Sequence, residues 1–273
     1  MIRIGEKNAF IVLRKSDLGY MLSNKDEQLL LHFNQTNGKE LEVNSMVECF
    51  VQYDSKGRIS ATLEEPTVTM SMPGWAKVVE ANARLGVFVS IGTFKDILIS
   101  KDNLPLNAKI WPEVGDTLYV KLVHNRGRLN AMLMTKNEIV ELNPKIPEVT
   151  VGSRVDAVVV RSTNNAVNAI TLEDKTYIYI SNKQFRGTYR VGEQVDVMII
   201  GRHEDESVGS LNKIKEELVL DDEKIILDYL KANDGMPYNA KTSAEEIEEV
   251  FHMSRKAFKR ALGDLYKKRE IYF

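Results

Sequence analysis

Hydrophobic and polar residues alternate with period two over most of the first two hundred positions. The alternation is clearest between Val114 and Leu133. There Leu118, Val120 and Leu122 interleave with Tyr119, Lys121 and Val123. A turn through Asn125 and Gly127 follows, and Leu129, Ala131 and Leu133 alternate on the far side. Alternation on both sides of a Gly/Asn turn predicts a β-hairpin with one buried face. The same pattern begins at Val43, running through Val47, Cys49 and Val51, a turn over Asp54 to Gly57, then Ile59, Ala61 and Leu63. It begins again at Val191, through Val195, Val197 and Ile199, a turn from His203 to Glu206, then Leu211. The anchors Val43, Val114 and Val191 are 71 and 77 residues apart. That spacing is too long for a solenoid repeat and suits a five-stranded OB-type barrel.

The pattern predicts three tandem barrels over residues 1–66, 67–141 and 142–217, with linkers at Glu65-Pro66-Thr67 and Asn143 to Pro147. In the first barrel, strands are expected at Phe10 to Leu13, Tyr20 to Leu22 and Leu29 to His32, before the Val43 hairpin. In the second they are expected at Trp75 to Glu80, Gly86 to Val89 and Asp96 to Ser100. The third opens at Val155 to Val160 and Ala166 to Ile170, and lacks the glycine–aromatic pair of the second.

From Leu218 the period becomes helical, and residues 218–273 form a fourth, α-rich unit. Asp221 or Asp222 is expected to cap a first helix with Ile225, Ile226, Tyr229 and Leu230 inward, broken by Asp234-Gly235 and Pro237. Ser243 with Glu246 is a capping box for a second helix reaching about Phe251. Ser254 caps a third, Arg255 to about Lys268, with an apolar stripe of Phe258, Ala261, Leu262 and Leu265. Ile271-Tyr272-Phe273 is expected to start a short β-wing. The fold class is mainly β with an α-rich C-terminal domain: three OB-type barrels and a winged helix.

Composition narrows the function. No apolar run approaches the ~20 residues of a membrane span. The segment MIRIGEKNAF lacks the apolar stretch of a signal peptide. One cysteine excludes an internal disulfide framework and suits a reducing, cytoplasmic setting, with Cys49 as a core thiol. Net charge is −2, which argues against a blanket polyanion binder. Residues 67–140 carry 9 basic and 6 acidic groups and are the net-positive barrel. Residues 255–269 hold seven Lys/Arg against one Asp. Local basic stripes are therefore the footprint to follow.

In the second barrel, Gly74-x-x-x-Val78, Gly86-Val-Phe-Val-x-Ile91-Gly92, Ile97-Leu-Ile-Ser100, Val114-Gly-Asp and Gly127-Arg128-Leu resemble the S1 RNA-binding domain. Three such units followed by Met253-Ser-Arg-Lys-Ala-Phe-Lys-Arg-Ala-Leu-Gly-Asp-Leu-Tyr-Lys267 resemble the bacterial conserved virulence factor B family. The resemblance implies an RNA-binding regulator of gene expression, including virulence genes.

An OB barrel takes single strands mainly on strands two and three, with bases on aromatics and Lys/Arg along the phosphates. The expected contacts are Phe88, Lys121 and Arg128 in the second barrel. In the first they are Tyr20, His32 and Arg58. The third offers Arg186 and Arg190, within the interleaved run Phe185 to Arg190. The last helix offers Arg255, Lys256, Lys259 and Arg260, where a helix–turn–helix meets nucleic acid. Leu85 is aliphatic where many S1 domains carry an aromatic. Glu245, Glu246, Glu248 and Glu249 offer alternative partners for the helix cations.

No zinc spacing, P-loop or nucleophile motif is present, and the four histidines are scattered. Asp221 to Glu223 and Glu204 to Glu206 read as caps and solvated acids, so no enzyme, cofactor or metal is expected. Three readings stay open: a single-stranded RNA binder acting post-transcriptionally, a DNA-binding transcription regulator using the winged helix, and a ribosome- or nuclease-associated adaptor.

Overall fold

The computed structural model describes all residues except 26, 126, 143–148, 204–205, 213–214, 234 and 273, and leaves the side chains of 215–221 undescribed. The chain divides into two compact units, Met1–Leu211 and Asn212–Phe273. The expected linker at Asn143 to Pro147 and the acids Glu204 and Asp205 lie outside the described residues.

The first unit holds three five-stranded sheets of like topology, antiparallel except for one strand pair in the third. In the first, β1 (Lys7–Lys15), β2 (Gly19–Asn24), β3 (Glu27–His32), β4 (Met46–Tyr53) and β5 (Ile59–Thr62) take the order β3-β2-β1-β4-β5. In the second, β6 (Gly74–Asn82), β7 (Gly86–Ser90), β8 (Ile97–Ser100), β9 (Thr117–Asn125) and β10 (Arg128–Leu133) take the order β10-β9-β6-β7-β8. β3 packs beside β5 and β8 beside β10, which rolls each sheet up. The third is a closed barrel of β11 (Arg154–Ser162), β12 (Ala166–Thr171), β13 (Tyr177–Ser181), β14 (Gln194–Arg202) and β15 (Ser207–Ser210), with β13 and β15 paired in parallel.

Alternation sets the interior of each. Phe10, Val12, Tyr20, Leu22, Leu31, Cys49 and Val51 fill the first. Val78, Val87, Val89, Ile99, Val120 and Ala131 fill the second. Val159, Val167, Ala169, Ile178, Ile180 and Val197 fill the third. Burial pushes the Cys49 thiol up to about 12, as a core position requires.

The three barrels are fused rather than strung. Phe50 of β4 belongs to the core of the second barrel, and Gln52 Nε2 donates to Thr93 Oγ1 across that junction at 3.1 Å. A short helix that the sequence pattern did not predict, α1 (Lys136–Leu142), follows β10. Its Ile139 is fully buried in a separate cluster with Tyr119 and Met134 of the second barrel and Ile170 and Tyr177 of the third. Trp75 Nε1 donates to Leu172 O at 3.1 Å over the same seam.

In the second unit, α2 (Lys215–Asn233), α3 (Ala244–Phe251) and α4 (Arg255–Lys267) enclose Ile226, Ile247, Phe251, Phe258, Ala261, Leu262 and Leu265. The capping box of Ser243 with Glu246 is formed, and Ser254 Oγ accepts from Ala257 N–H. Three expectations change. α2 begins before Asp221, and Asp222 is buried against Arg260 instead of capping. Ile225 is 42% exposed, while Ile226 takes the core position. Among the described residues no strand follows α4; Ile271 packs into the helical core and Tyr272 is exposed.

Candidate nucleic-acid interface

The open face of each barrel is fixed by register on strands two and three. Gly86 pairs with Ser100, Val87 with Ile99, Phe88 with Leu98 and Val89 with Ile97. Val87 and Val89 point into the core, so Phe88 between them points out; it is half-buried and belongs to none of the core clusters. Lys77, exposed on β6, pairs with Ser90 on the same face. The sequence reading did not single out Lys77. Leu85, before the glycine, is 49% exposed. Arg128 is exposed at the start of β10, the strand beside β8, and makes no ion pair among the described residues.

Lys121 points outward but is already bound. Its ammonium donates to Glu138 of α1, whose carboxylate also accepts from Thr135 N–H at 2.9 Å. Lys121 first, then the Thr135 amide, hold Glu138 below the usual glutamate range. Lys121 is therefore a strut for α1 rather than a free phosphate contact.

The first barrel corrects one expectation, Tyr20, and qualifies two others. Gly19 pairs with His32 as Gly86 pairs with Ser100, and a Cβ on either glycine would strike the carbonyl of the facing strand. Aligned on that glycine, Met21, not Tyr20, stands where Phe88 stands. Tyr20 is 2% exposed in the core, and its Oη accepts from Leu41 N–H at 3.2 Å. It offers no stacking face. His32 Nδ1 accepts from Asn34 N–H at 3.2 Å and caps the short 3₁₀ turn at Phe33–Gln35. Arg58 is exposed but forked onto Asp54 at 2.7 and 2.8 Å. Asp54 also accepts from the amides of Lys56 and Arg58, and its carboxyl is held low, chiefly by the Arg58 amide.

In the third barrel the interleaved run divides. Phe185 and Tyr189 pack edge to face, centroids 5.9 Å apart, against the barrel core. Arg186 is exposed, with no ion pair among the described residues. Arg190 is committed to the second barrel: Nε and Nη2 donate to the two oxygens of Asp116 at 2.8 and 3.0 Å. That bidentate fork gives the guanidinium a structural partner where a free cation was expected. Gly192 beside it sits at φ +89°, and a Cβ there would come within 2.8 Å of Leu118 Cδ2 and 2.9 Å of Asp116 Cβ.

On α4, Lys256 and Lys259 are exposed and make no ion pair among the described residues. Arg255 Nη2 reaches Lys241 O at 3.3 Å. Arg260 meets buried Asp222 at 3.3 Å, and Lys268 meets buried Glu223 at 2.5 Å. The acids of α3 do not take the α4 cations among the described residues; Glu246 serves the capping box.

The architecture is that of S1-like barrels followed by a winged-helix region, both nucleic-acid-binding domain types. Residues 4–64 match the S1 domain, 74–132 the CvfB first S1-like domain and 224–273 the CvfB-like winged helix domain. The chain is 33% identical to the uncharacterized protein YitL of Bacillus subtilis over 99% of this chain and 91% of that one. It is 31% identical to conserved virulence factor B of Staphylococcus aureus, covering 85% and 78%. It is 30% identical to conserved virulence factor B of Staphylococcus epidermidis, covering 90% and 84%. A crystal structure of a multidomain protein with nucleic acid binding domains from Streptococcus pneumoniae superposes with a TM-score of 0.68 at 27% identity, covering 99% and 95%. The chain belongs to the conserved virulence factor B family.

Proposed function

We propose that the chain binds single-stranded RNA on the open face of the second barrel and acts in the cytoplasm as a non-catalytic, post-transcriptional regulator. The observation that carries this reading is Phe88. A large aromatic ring on the outer face of a small barrel gains little from folding. It gives a base a stacking surface worth about 1–3 kcal/mol. Lys77 and Arg128 are among the exposed cations of the same barrel, and Arg186 extends the supply to the third. The kinship with conserved virulence factor B supports a regulatory role. No helix among the described residues is long and apolar enough to cross a membrane.

Lys256 and Lys259 on α4 favour a second reading, duplex DNA met by the winged helix. Comparing a U-rich 12-mer with a random duplex separates the two. The single strand is expected to bind more tightly, and Phe88→Ala to weaken it by about 1–3 kcal/mol with little change in melting temperature. The log of affinity should fall linearly with log salt, with a slope near −0.7 per phosphate contact. Duplex preference, or an affinity untouched in a folded Phe88→Ala protein, overturns the proposal.

A further inference from the structure

The outer face of the third barrel carries a row of side chains of different chemistry. β11 has a bulge between Val159 and Arg161, and past it Arg161 pairs with Asn168. Asn168 in turn pairs with Tyr179, and Tyr179 with Val208. This places Arg161, Asn168 and Tyr179 in one row across the outer face, because Val167, Ala169, Ile178 and Ile180 fill the core. Arg161 is exposed and Tyr179 half-buried. Asn168 is only 9% exposed, yet its amide makes no hydrogen bond among the described residues.

The fully buried, unpartnered side-chain atoms among the described residues belong to Gln35, Gln52, Thr176, Ser207 and Glu223, so the Asn168 carboxamide keeps its residual exposure at its polar end and is open to a partner from solvent. The rest of this face is spoken for. Ile170 and Tyr177, one alternation further along, are covered by the seam with the second barrel and α1. Burial pushes the Tyr177 phenol up to about 12, with Glu206 acting in the same direction and Arg161 against it. Lys136 Nζ lies 5.2 Å from the Tyr177 ring centre and is paired with Glu206 at 2.6 Å. The open patch therefore begins where the seam ends, and Arg161 stands at its border.

We infer that Arg161, Asn168 and Tyr179 form a nucleobase site that favours adenine. A base stacks on the Tyr179 ring. The Asn168 amide offers one donor and one acceptor side by side, the pair that matches N7 and the N6 amino group of adenine. Arg161 holds the adjoining phosphate. The site rests on the single-strand reading but not on Phe88, so the two are tested by different residues.

The test uses the full chain and fluorescence anisotropy with labelled A12, C12 and U12 RNA. Wild-type protein is expected to bind A12 about tenfold more tightly than C12. Asn168→Leu keeps the shape of the side chain and removes the donor and acceptor. It should lower affinity for A12 about tenfold and leave C12 unchanged. Tyr179→Leu should weaken all three by about tenfold. Melting curves confirm that both variants are folded; Asn168→Ser serves if Asn168→Leu is not, with the same loss of preference expected. Superimposable A12 isotherms for wild type and the folded Asn168 variant overturn the site, as does unchanged binding by Tyr179→Leu. A Phe88→Ala protein that still shows the A12 preference leaves this site standing even if the platform on the second barrel fails.

Discussion

Replacing Arg190 by Gln tests whether this arginine is a clamp or an RNA contact. Asp116 has 9% of its side chain exposed and Arg190 31%. Apart from the fork, Asp116 accepts from Glu113 N–H at 2.8 Å; Glu113 and Glu193 lie 3.6 and 3.7 Å from the guanidinium. Losing the arginine leaves a buried carboxylate with one good donor and two like charges nearby. Removing one partner of a fully buried pair costs about 3–5 kcal/mol. With Arg190 nearly a third exposed, about 2–3 kcal/mol is a fair expectation here. In a unit of this size each kcal/mol lowers the melting temperature by about 2–4 °C, so a fall of about 4–12 °C is expected. Asp116→Asn should cost less on top of Arg190→Gln than alone, because the pair is then already broken. The readouts are calorimetry on the four proteins of that cycle and the salt dependence of RNA binding. An Arg190→Gln protein that melts like the parent, but whose salt slope drops by about 0.7, would refute the clamp.

Two further outcomes follow from the same junctions. Glu138→Gln frees Lys121. Because the Glu138 pKa is lowered in the folded chain, its contribution is fully present above the ordinary glutamate value of about 4.3 and is lost as pH falls through the folded value. The melting difference between parent and variant should therefore be largest at pH 6 and shrink toward pH 3; a difference that grows on acidification rejects the pairing. Gly192→Ala combines a positive φ with two close contacts and should cost about 2–4 kcal/mol, read by urea denaturation. Gly187→Ala, at φ +80° with open space around it, is the comparison and should cost less.

Much of the fold was legible because period-two alternation is a local property. Cys49, Val120 and Val197 were placed inside from spacing alone. The capping box of Ser243 with Glu246 was likewise readable from two residues. What failed was whatever depends on a distant partner. Tyr20 stands one position off the place of Phe88 in the sequence, and the close backbone approach at Gly19 sets the register and hands the outer position to Met21. Arg190 and Arg186 look alike in sequence; only Asp116, 74 positions away, distinguishes them. Asp222 has the composition of a cap and the position of an ion-pair partner. Tyr179 passed unnoticed because its barrel lacks the glycine–aromatic signature, although the alternation Tyr177-Ile178-Tyr179-Ile180 marks one tyrosine face outside the core. Helix α1 is too short, at seven residues, to show a period.

The seam built by Ile139 has a consequence for synthesis of the chain. Tyr119, Trp75 and Ile139 leave the ribosome before Ile170 and Tyr177, which cover them. At about 5–20 residues per second, the roughly forty residues from Ile139 to Tyr177 take about 2–8 s to emerge. During that interval the second barrel is complete in its own strands yet presents two aromatic rings and an isoleucine to the crowded cell. A pause in translation at this point would lengthen the exposure of that surface.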